Sequence, residues 1–268
     1  MKQIKIILLA RDCDSSMIVY NYLNKFFSID KIILENTQSK YKQFKKRIKK
    51  MGFFKASGQV AFMVLIFPFL KWFSQIRKKE ILATHGLQLK PFPGEKIIRV
   101  KSLSSDADRT LLKELHPDLL IVNGTRIISG KTLEAVPAPF INIHAGITPF
   151  FRGVHGGYWA IAEGKKEMFG TTIHYVDTGV DTGGIIEQAF TEPGKSDNFY
   201  TYPYVQYAAV MPVLKNVVQS FVESQKPMVK PVVNSNSSLW FHPTIFQWLA
   251  NLKRTLIFIP SLPLFIIF

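Results

Sequence analysis

Three polar side chains of the kinds that catalyse acyl transfer lie near the predicted ends of strands. Asn142 and His144 are two residues apart at the end of a predicted strand over residues 140–143, and the two-residue repeat of a strand directs both to one side. Asp181 follows about 40 residues later in a turn rich in Gly and Thr. An amide can donate to a developing oxyanion, an imidazole can handle a proton, and a carboxylate can orient the imidazole or accept the proton itself.

Short patterns of this kind carry little information by themselves. His144 could equally be a buried, hydrogen-bonded histidine of the core, and Asp181 a residue that stabilises a turn. The longer sequence around each of them is more specific. It runs I-N-I-H-A-G-I-T-P-F-F-R-G from residue 141 and G-T-T-I-H-Y-V-D-T-G-V-D-T-G-G-I-I from residue 170.

These two segments resemble the formyltransferase family that uses 10-formyltetrahydrofolate, whose members act on glycinamide ribonucleotide, methionyl-tRNA and amino sugars. The resemblance is specific over about residues 118–188, weaker over 1–34, and absent over about 36–80 and after about 225. It implies that Asn142, His144 and Asp181 are the catalytic residues. Asn142 would stabilise the oxyanion and Asp181 would orient His144 or relay protons, while the identity of the base stays open.

The same resemblance implies where 10-formyltetrahydrofolate, the co-substrate, would bind. Two segments would enclose its pterin ring: one after a strand at residues 119–122, the other just before Asp181. The alternative for Arg126 is a solvated loop residue. His174 is interpreted as a core or supporting histidine, and His155 as a helix cap or a substrate contact. The predicted contacts are Thr125, Arg126, Ile127, Ile128, Val176, Asp177 and Val180.

Strands that alternate with helices predict a doubly wound, mostly parallel, Rossmann-like α/β sheet with its site outside the carboxyl ends of the strands. A catalytic domain is expected over 1–225, with a basic, apolar helical insert at 36–80 within it, and an aromatic, apolar extension is expected over 226–268. Strands are predicted at 4–9, 31–34, 97–100, 119–122, 140–143, 170–176 and 184–190. Helices are predicted at 15–26 with Asp14 as N-cap, 105–115, after Ser129, 155–163, and 200–224 with Pro203 and Pro212 near its start.

The net charge of +15 is concentrated in one stretch. Twelve Lys and Arg and no Asp or Glu occur over residues 36–79, and they account for all but three of the net positive charges. We expect two helices there, with a break near Ser57 and Gly58. Its apolar run, 60–70, is too short to span a bilayer, as is the uncharged end of the chain, 255–268. Both segments are predicted to lie on an anionic membrane surface, with a homodimer interface as the alternative; a nucleic acid partner is disfavoured because the aromatic residues are not interleaved with the charges.

Composition and the missing motifs narrow the function. A single cysteine excludes a disulfide framework and a cysteine-rich metal site, and no metal-ligand spacing occurs in the sequence. We expect a cytoplasmic protein that is peripheral to the inner face of the plasma membrane. Residues 10–16 lack the glycines of a phosphate loop, and 226–268 are too few for the second domain of the tRNA enzymes. An amino sugar of surface-polysaccharide biosynthesis, nucleotide- or lipid-linked, is therefore the expected acceptor. The alternatives are another small amine, hydrolysis of the co-substrate, or a non-enzymatic membrane-surface adaptor.

Overall fold

A seven-stranded sheet forms the centre of the molecule, with the order β3-β2-β1-β4-β5-β7-β8. The computed structural model describes residues 4–36, 39–231 and 236–255. The strands of the protein are β1 (Ile6–Ala10), β2 (Ile29–Glu35), β3 (Ile97–Val100), β4 (Leu119–Asn123), β5 (Phe140–His144), β6 (Arg152–Gly153), β7 (Gly170–Tyr175), β8 (Ile185–Phe190) and β9 (Leu239–Trp240). The first five strands of the sheet order pair in parallel, whereas β7 runs antiparallel to β5 and β8.

Helices cover both faces of this sheet. They are α1 (Asp14–Leu23), α2 (Lys40–Met51), α3 (Phe53–Ala61), α4 (Phe67–Phe73), α5 (Gln75–Thr84), α6 (Asp106–Glu114), α7 (Gly130–Ala135), α8 (Gly156–Ala162), α9 (Tyr202–Val222), α10 (Ile245–Ala250) and α11 (Leu252–Thr255). In β1, Ile6 and Leu8 enter one hydrophobic core while Ile7 and Leu9 enter the other. A central strand that is buried on both faces is what parallel sheets require, and the predicted fold class is confirmed.

The insert differs from its prediction. The expected break at Ser57 and Gly58 is wrong, because α3 runs through both residues. Gly58 serves close packing instead, since a β-carbon there would meet Thr244 at 3.1 Å. The chain breaks at Gly52, whose φ of +83° suits glycine, and again at Ser74.

Between these breaks the helix is longer than the sequence suggested. A π-helical turn over Phe62–Ile66 joins α3 to α4, so the whole of Phe53–Phe73 is helical. By length and composition alone these 21 residues could cross a membrane, and 28% of their most apolar 18-residue window is buried. The prediction that this apolar stretch is too short was therefore wrong, because the apolar helix begins seven residues earlier than the run from which it was judged.

The beginning of α1 and the position of Pro212 in α9 also differ from their predictions. Cys13, and not Asp14, is the N-cap of α1, and its side chain caps nothing. Asp14 instead accepts hydrogen bonds from the Lys78 ammonium (2.6 Å) and the Tyr204 hydroxyl (2.5 Å). Pro212 lies inside α9, not near its start.

The C-terminal segment packs against the preceding part of the chain. Strand β9 pairs in parallel with β6, and the Trp240 ring stacks on Trp159 with centroids 4.5 Å apart. The Gln59 amide of α3 donates to the carbonyl of His242 at 2.6 Å, so this segment also contacts the insert. Apart from Thr255, the predicted apolar end over 255–268 lies outside the described residues.

Candidate active site

Strand β5 brings Asn142 and His144 to the same side, as the two-residue repeat predicts. In the pairing with β7, Asn142 lies opposite His174 and His144 lies opposite Thr172. Opposed residues of an antiparallel pair point to the same face of the sheet. The ladder therefore places a second histidine, His174, beside the predicted pair.

Asp181 is the hub of the cluster. Its Oδ1 lies 3.3 Å from Asn142 Nδ2 and 3.6 Å from His174 Nε2. Its Oδ2 lies 3.3 Å from His144 Nδ1 and accepts the backbone N–H of Gly153 at 2.8 Å. The loop after β7 folds back across β5 to reach these groups, and Asp181 itself has a left-handed φ of +50°. Such a conformation costs energy in a non-glycine residue and is characteristic of functional sites.

These contacts keep the carboxyl group of Asp181 ionised. Burial alone would raise its pKa, but the neighbouring rings of His174 and His144 and the Gly153 N–H outweigh burial, and the pKa is held below its ordinary value. The side chain is only 13% exposed. The site therefore contains a fixed negative charge that is largely shielded from water.

His144 is held between two acceptors. Its Nε2 lies 2.7 Å from the carbonyl oxygen of Phe151, and its Nδ1 faces Asp181. Burial lowers the pKa of His144, although Asp181 and the Phe151 carbonyl act in the opposite sense. A neutral ring whose Nε2–H donates along the shorter contact leaves Nδ1 free to accept a proton next to the carboxylate.

His174 fixes the amide of Asn142. The Nδ1–H of His174 donates to the carbonyl of Tyr175 at 2.7 Å, so its Nε2 can accept from Asn142 Nδ2 at 3.1 Å. The second N–H of the amide points to Asp181, because a carboxylate can only accept. The sequence analysis treated His174 as a core or supporting histidine; it is buried, and it contacts both Asn142 and Asp181 directly.

The loop between β5 and α8 supplies two backbone groups that the sequence analysis did not identify. The carbonyl of Phe151 orients His144, and the N–H of Gly153 binds Asp181. Gly146 makes room for this arrangement, since a β-carbon there would clash with the Phe151 carbonyl and approach His144 Nε2 to 2.6 Å. Contacts made by backbone groups cannot be predicted from side-chain types. The glycines of G-I-T-P-F-F-R-G are the sequence feature that indicates them, because glycine lets the backbone approach closely.

The first predicted co-substrate segment follows β4. Arg126 Nη2 forms an ion pair with Glu35 at 2.8 Å, and the Arg126 N–H donates to the same carboxylate. Ile127 is exposed, whereas Ile128 is buried in one of the two cores. The Thr125 hydroxyl donates to the carbonyl of Arg126. Ile128 therefore anchors this segment in the core, and the side chains of Ile127 and Arg126 face outward.

The second predicted segment lies next to the first. A β-carbon on Gly130, which begins α7, would meet the methyl of Thr178 at 3.2 Å, so the two segments are in contact. Val176 packs against the core that contains Ile128. Asp177 closes the turn through Gly179 N (3.0 Å) and the Thr182 hydroxyl (2.8 Å), and the Val180 carbonyl accepts from Arg152 at 3.1 Å.

A cationic cavity lies beside the first of these segments. Its volume is about 580 Å³, and it opens at the carboxyl ends of β2, β3 and β4. The charged side chains that line it are all positive: Lys42, Lys45, Lys46, Lys101 and Arg126. Among the residues with described positions, no group of acidic, histidine and cysteine side chains could hold a metal ion.

His155 contacts the C-terminal segment and not the Asp181 cluster. It is the N-cap residue of α8, with no side-chain cap, and its Nε2 lies 3.0 Å from Nδ1 of His242. Of its two predicted roles, the helix-cap position is confirmed, although the side chain makes no capping hydrogen bond, and the substrate contact stays a prediction. Burial, the neighbouring imidazole and Arg47 lower the pKa of His155 well below its ordinary value.

Comparison with known proteins gives one family and several relatives. The family model described as "Formyl transferase" matches residues 73–198. A methionyl-tRNA formyltransferase from Kosmotoga olearia is 32% identical over 126 residues, 47% of this chain and 40% of the relative. The curated relatives are thus matched over only about a third of their length.

Solved structures share the fold at low sequence identity. Phosphoribosylglycinamide formyltransferase from Anaplasma phagocytophilum has a TM-score of 0.54 at 19% identity, covering 83% of this chain and 89% of that one. The N-formyltransferase from Helicobacter canadensis, solved with folinic acid and dTDP-3-aminofucose, has a TM-score of 0.53 at 16% identity, covering 88% and 70%. Residues 73–198, which include Asn142, His144 and Asp181, thus match the formyl transferase family, and the chain shares the fold of these solved formyltransferases.

Proposed function

We propose that this protein transfers a formyl group from 10-formyltetrahydrofolate to the primary amine of a nucleotide- or lipid-linked amino sugar. The observation that carries the proposal is the Asp181 cluster. One buried carboxylate is held by Asn142, His144, His174 and the Gly153 N–H within 3.6 Å. This arrangement provides an amide donor, a proton acceptor and a fixed negative charge at one point.

Each residue has a distinct role in the proposed reaction. The N–H of Asn142 that contacts Asp181 at 3.3 Å in the free protein turns to the formyl oxygen as that oxygen gains negative charge. His144 takes the proton that the attacking amine loses, on the Nδ1 that faces Asp181 at 3.3 Å. Asp181 stabilises the imidazolium that results, and the proton then passes to the nitrogen of tetrahydrofolate as the bond from that nitrogen to the formyl carbon breaks. His174 and the carbonyl of Phe151 position the amide and the ring.

The residues near Arg126 fit a folate. The co-substrate supplies the formyl group and carries a carboxylated glutamate, and the cavity beside Arg126 is lined by positive charges. The Nε atoms of Arg126 and Arg152 are buried without a hydrogen-bond partner in the described part of the chain. A buried donor without a partner costs free energy, so an oxygen acceptor that reached either atom on ligand binding would be favoured.

The start of α1 argues against a phosphorylated ribonucleotide as acceptor. In place of a glycine-rich loop, this end of the helix carries Asp12 and Asp14, and the pKa of Asp14 is lowered through Lys78 and Tyr204 although burial opposes it. A phosphate would lack a glycine-rich cradle there, and it would compete with Asp14 for Lys78 and with Asp12 for Arg99. Hydroxyl and amide groups dominate the nearby interior, where Asn123 binds Ser16 at 2.9 Å and Tyr207. An acceptor rich in hydroxyl groups suits these surroundings better.

The proposal is tested by incubating the protein with 10-formyltetrahydrofolate and separate amines. The panel comprises nucleotide-linked amino sugars, lipid-linked amino sugars, glycinamide ribonucleotide and methionyl-tRNA. Release of tetrahydrofolate is followed by absorbance, and the formylated product by mass spectrometry. We expect turnover with an amino sugar, loss of turnover in Asn142→Ala and His144→Ala, and normal turnover in the control Asn216→Ala, which alters an exposed amide on α9.

Three results would contradict the proposal. Turnover on glycinamide ribonucleotide or methionyl-tRNA with none on any amino sugar would assign a different acceptor. Rapid breakdown of the co-substrate in the absence of an amine would indicate a hydrolase. Failure of the wild-type protein to bind folate in equilibrium dialysis would favour a non-enzymatic role.

A further inference from the structure

The longest helical run of the insert exposes an apolar face. Phe54, Leu65 and Trp72 are separated by eleven and seven residues, about three and two helical turns, and are 90%, 63% and 71% exposed. Helix α10 packs on α3, with the rings of Phe62 and Trp248 6.0 Å apart, and also presents apolar side chains to solvent. The other exposed apolar residues of this surface, here called the apolar face, are Phe53, Val64, Phe69, Phe73, Phe246 and Leu249. An exposed apolar surface of this kind marks an interaction site.

The opposite side of the same run is anchored to the catalytic domain. Gln59 donates to the carbonyl of His242, the ring of Phe62 contacts Phe199 with centroids 4.8 Å apart, and Leu70 is buried. In the next helix, Arg77 forms an ion pair with the buried Asp197 at 2.9 Å. A helix that crossed a bilayer would have to leave all of these contacts. One side of this helical run therefore packs on the rest of the protein, and the opposite side is exposed to a binding partner.

Positive charge flanks both ends of the apolar face. Lys49 and Lys55 lie near its beginning, Lys71 and Lys79 near its end, and all four are exposed. No acidic residue occurs over residues 36–79. Arg77 and Lys78, by contrast, are turned toward the rest of the protein, where they pair with Asp197 and Asp14.

This combination selects one partner. A second copy of the chain placed on the apolar face would bring two sets of positive charges together, which repel each other. A nucleic acid would need positive charges that follow its phosphate backbone along the whole surface, whereas here fifteen uncharged residues, 56–70, separate Lys55 from Lys71. We propose that the apolar face is a membrane-docking surface, which lies in the interface of a bilayer that contains anionic lipids, with its aromatic residues at the level of the headgroups.

The proposal is tested with vesicles and the full-length protein. We expect co-sedimentation with phosphatidylserine-containing vesicles and not with pure phosphatidylcholine, and release by added salt because salt screens the attraction. The fluorescence of Trp72, the most exposed of the tryptophans with described exposure, should shift to the blue and be quenched by lipids brominated near the headgroup. This result is expected whichever amine the protein formylates.

Two variants separate the apolar and the electrostatic contributions. Phe54→Ser/Leu65→Ser/Trp72→Ser should abolish binding, and Lys49→Gln/Lys55→Gln/Lys71→Gln/Lys79→Gln should weaken it by roughly 600-fold, since each lysine near an anionic surface contributes roughly fivefold. The matched controls alter exposed residues elsewhere: Phe26→Ser/Phe190→Ser/Met228→Ser and Lys113→Gln/Lys165→Gln/Lys166→Gln/Lys195→Gln. Both controls should bind as the wild type does, and circular dichroism should show that every variant is folded.

Several results would overturn the proposal. Wild-type protein that stays in the supernatant with both kinds of vesicle has no such surface. Equal binding to neutral and anionic vesicles would show that the lysines do not contribute. A dimer by light scattering that the Phe54, Leu65 and Trp72 substitutions dissociate would assign the apolar face to a second copy of the chain.

Discussion

Four groups contact the Asp181 carboxylate: the N–H groups of Asn142 and Gly153, and one ring nitrogen each of His144 and His174. Their arrangement depends on the negative charge of this carboxylate more than on its shape. Gly153 N–H and Asn142 could equally bind a neutral amide oxygen, whereas a proton on His144 needs the negative charge beside it. The lowered pKa of Asp181 ensures that this charge is present at neutral pH. At this scale the site is defined by one ionised group and the groups that keep it ionised.

We therefore expect Asp181→Asn to lower kcat by about 10²-fold or more, the usual scale for the loss of an acid–base group. The substitution conserves size and most hydrogen bonds but removes the charge that stabilises a protonated His144. Steady-state kinetics would measure kcat, and equilibrium dialysis should show an unchanged Kd for folate. The control Asp106→Asn, at an exposed carboxylate on α6, should be as active as wild type. A parallel loss of folate binding would instead make Asp181 part of the pterin wall.

A second prediction concerns the space beside His144. Gly146→Ala would place a methyl group against the carbonyl of Phe151 and within 2.6 Å of His144 Nε2. Because the backbone on both sides is packed, we expect the ring to rotate away from Asp181 and kcat to fall at least tenfold, with a destabilisation of about 1–3 kcal/mol. Gly94→Ala is the matched control, since a β-carbon at that position would have nothing within 4 Å. Wild-type kinetics in Gly146→Ala would show that the position of His144 is not critical.

The spacing of Asn142 and His144 was enough to predict their shared side, because a strand has only one repeat. The contribution of His174 was not predictable in the same way. It depends on the register of β5 against β7, which places residue 174 opposite residue 142 although 32 positions separate them. Register is set by long-range pairing and by the turn that follows, and neither is visible in a local pattern.

At the scale of elements, the strands followed the sequence more closely than the insert did. The buried strands carry runs of β-branched and apolar residues between polar turns, so β3 was predicted to the residue and β4 and β5 to within one. The direction of β7 and β8 was less accessible, because antiparallel pairing depends on how the Asp181 loop folds back. In the insert, Gly58 was taken as a break although it is a packing position against Thr244, and composition cannot distinguish these two uses of glycine.

The histidine pair that joins the start of α8 to the C-terminal segment makes stability depend on pH. Burial, followed by the charge of Arg47, lowers the pKa of His242 to about 4, and the pKa of His155 is lowered well below its ordinary value. Both folded-state pKa values lie below the unfolded value of about 6.5. The unfolded chain therefore binds more protons in acid, and stability is fully present above about pH 6.5 and is lost as pH falls toward 4.

We expect the free energy of unfolding to fall by about 1–3 kcal/mol from His242 over that range, measured by urea denaturation at several pH values. His242→Gln should reduce the slope below pH 6.5. The control His85→Gln, at an exposed histidine after α5, should not change it. Asp181 contributes in a separate window, since its lowered pKa acts only as pH falls below the ordinary carboxyl value of about 3.9. An unchanged slope in His242→Gln would assign the acid sensitivity to other groups.

At the scale of the whole molecule, the basic residues behind the net charge of +15 are divided between two different surfaces. One part of the basic stretch flanks the apolar face, and α2 contributes Lys42, Lys45 and Lys46 to the cavity beside Arg126. Composition revealed that the charge was local, but not that it divides between these places. The division depends on α2 lying over the carboxyl ends of β2 and β3, a tertiary contact with no signature in the chain.

If folate binds beside Arg126, this uneven charge should act on the encounter with the negatively charged co-substrate. Positive clefts raise association rates by 10-fold to 10³-fold in a salt-dependent way. We expect Lys42→Gln/Lys45→Gln/Lys101→Gln to lower kcat/KM for 10-formyltetrahydrofolate by about tenfold, to leave kcat unchanged, and to flatten the decline of kcat/KM with ionic strength. The quadruple control Lys113→Gln/Lys165→Gln/Lys166→Gln/Lys195→Gln removes more charge from other surfaces and should keep the wild-type salt dependence, because charges beyond a Debye length of about 8 Å are largely screened at physiological ionic strength. Equal effects of the two sets would mean that net charge, and not the cavity, attracts the co-substrate; a fall in kcat in the first set would place these lysines in the chemical step.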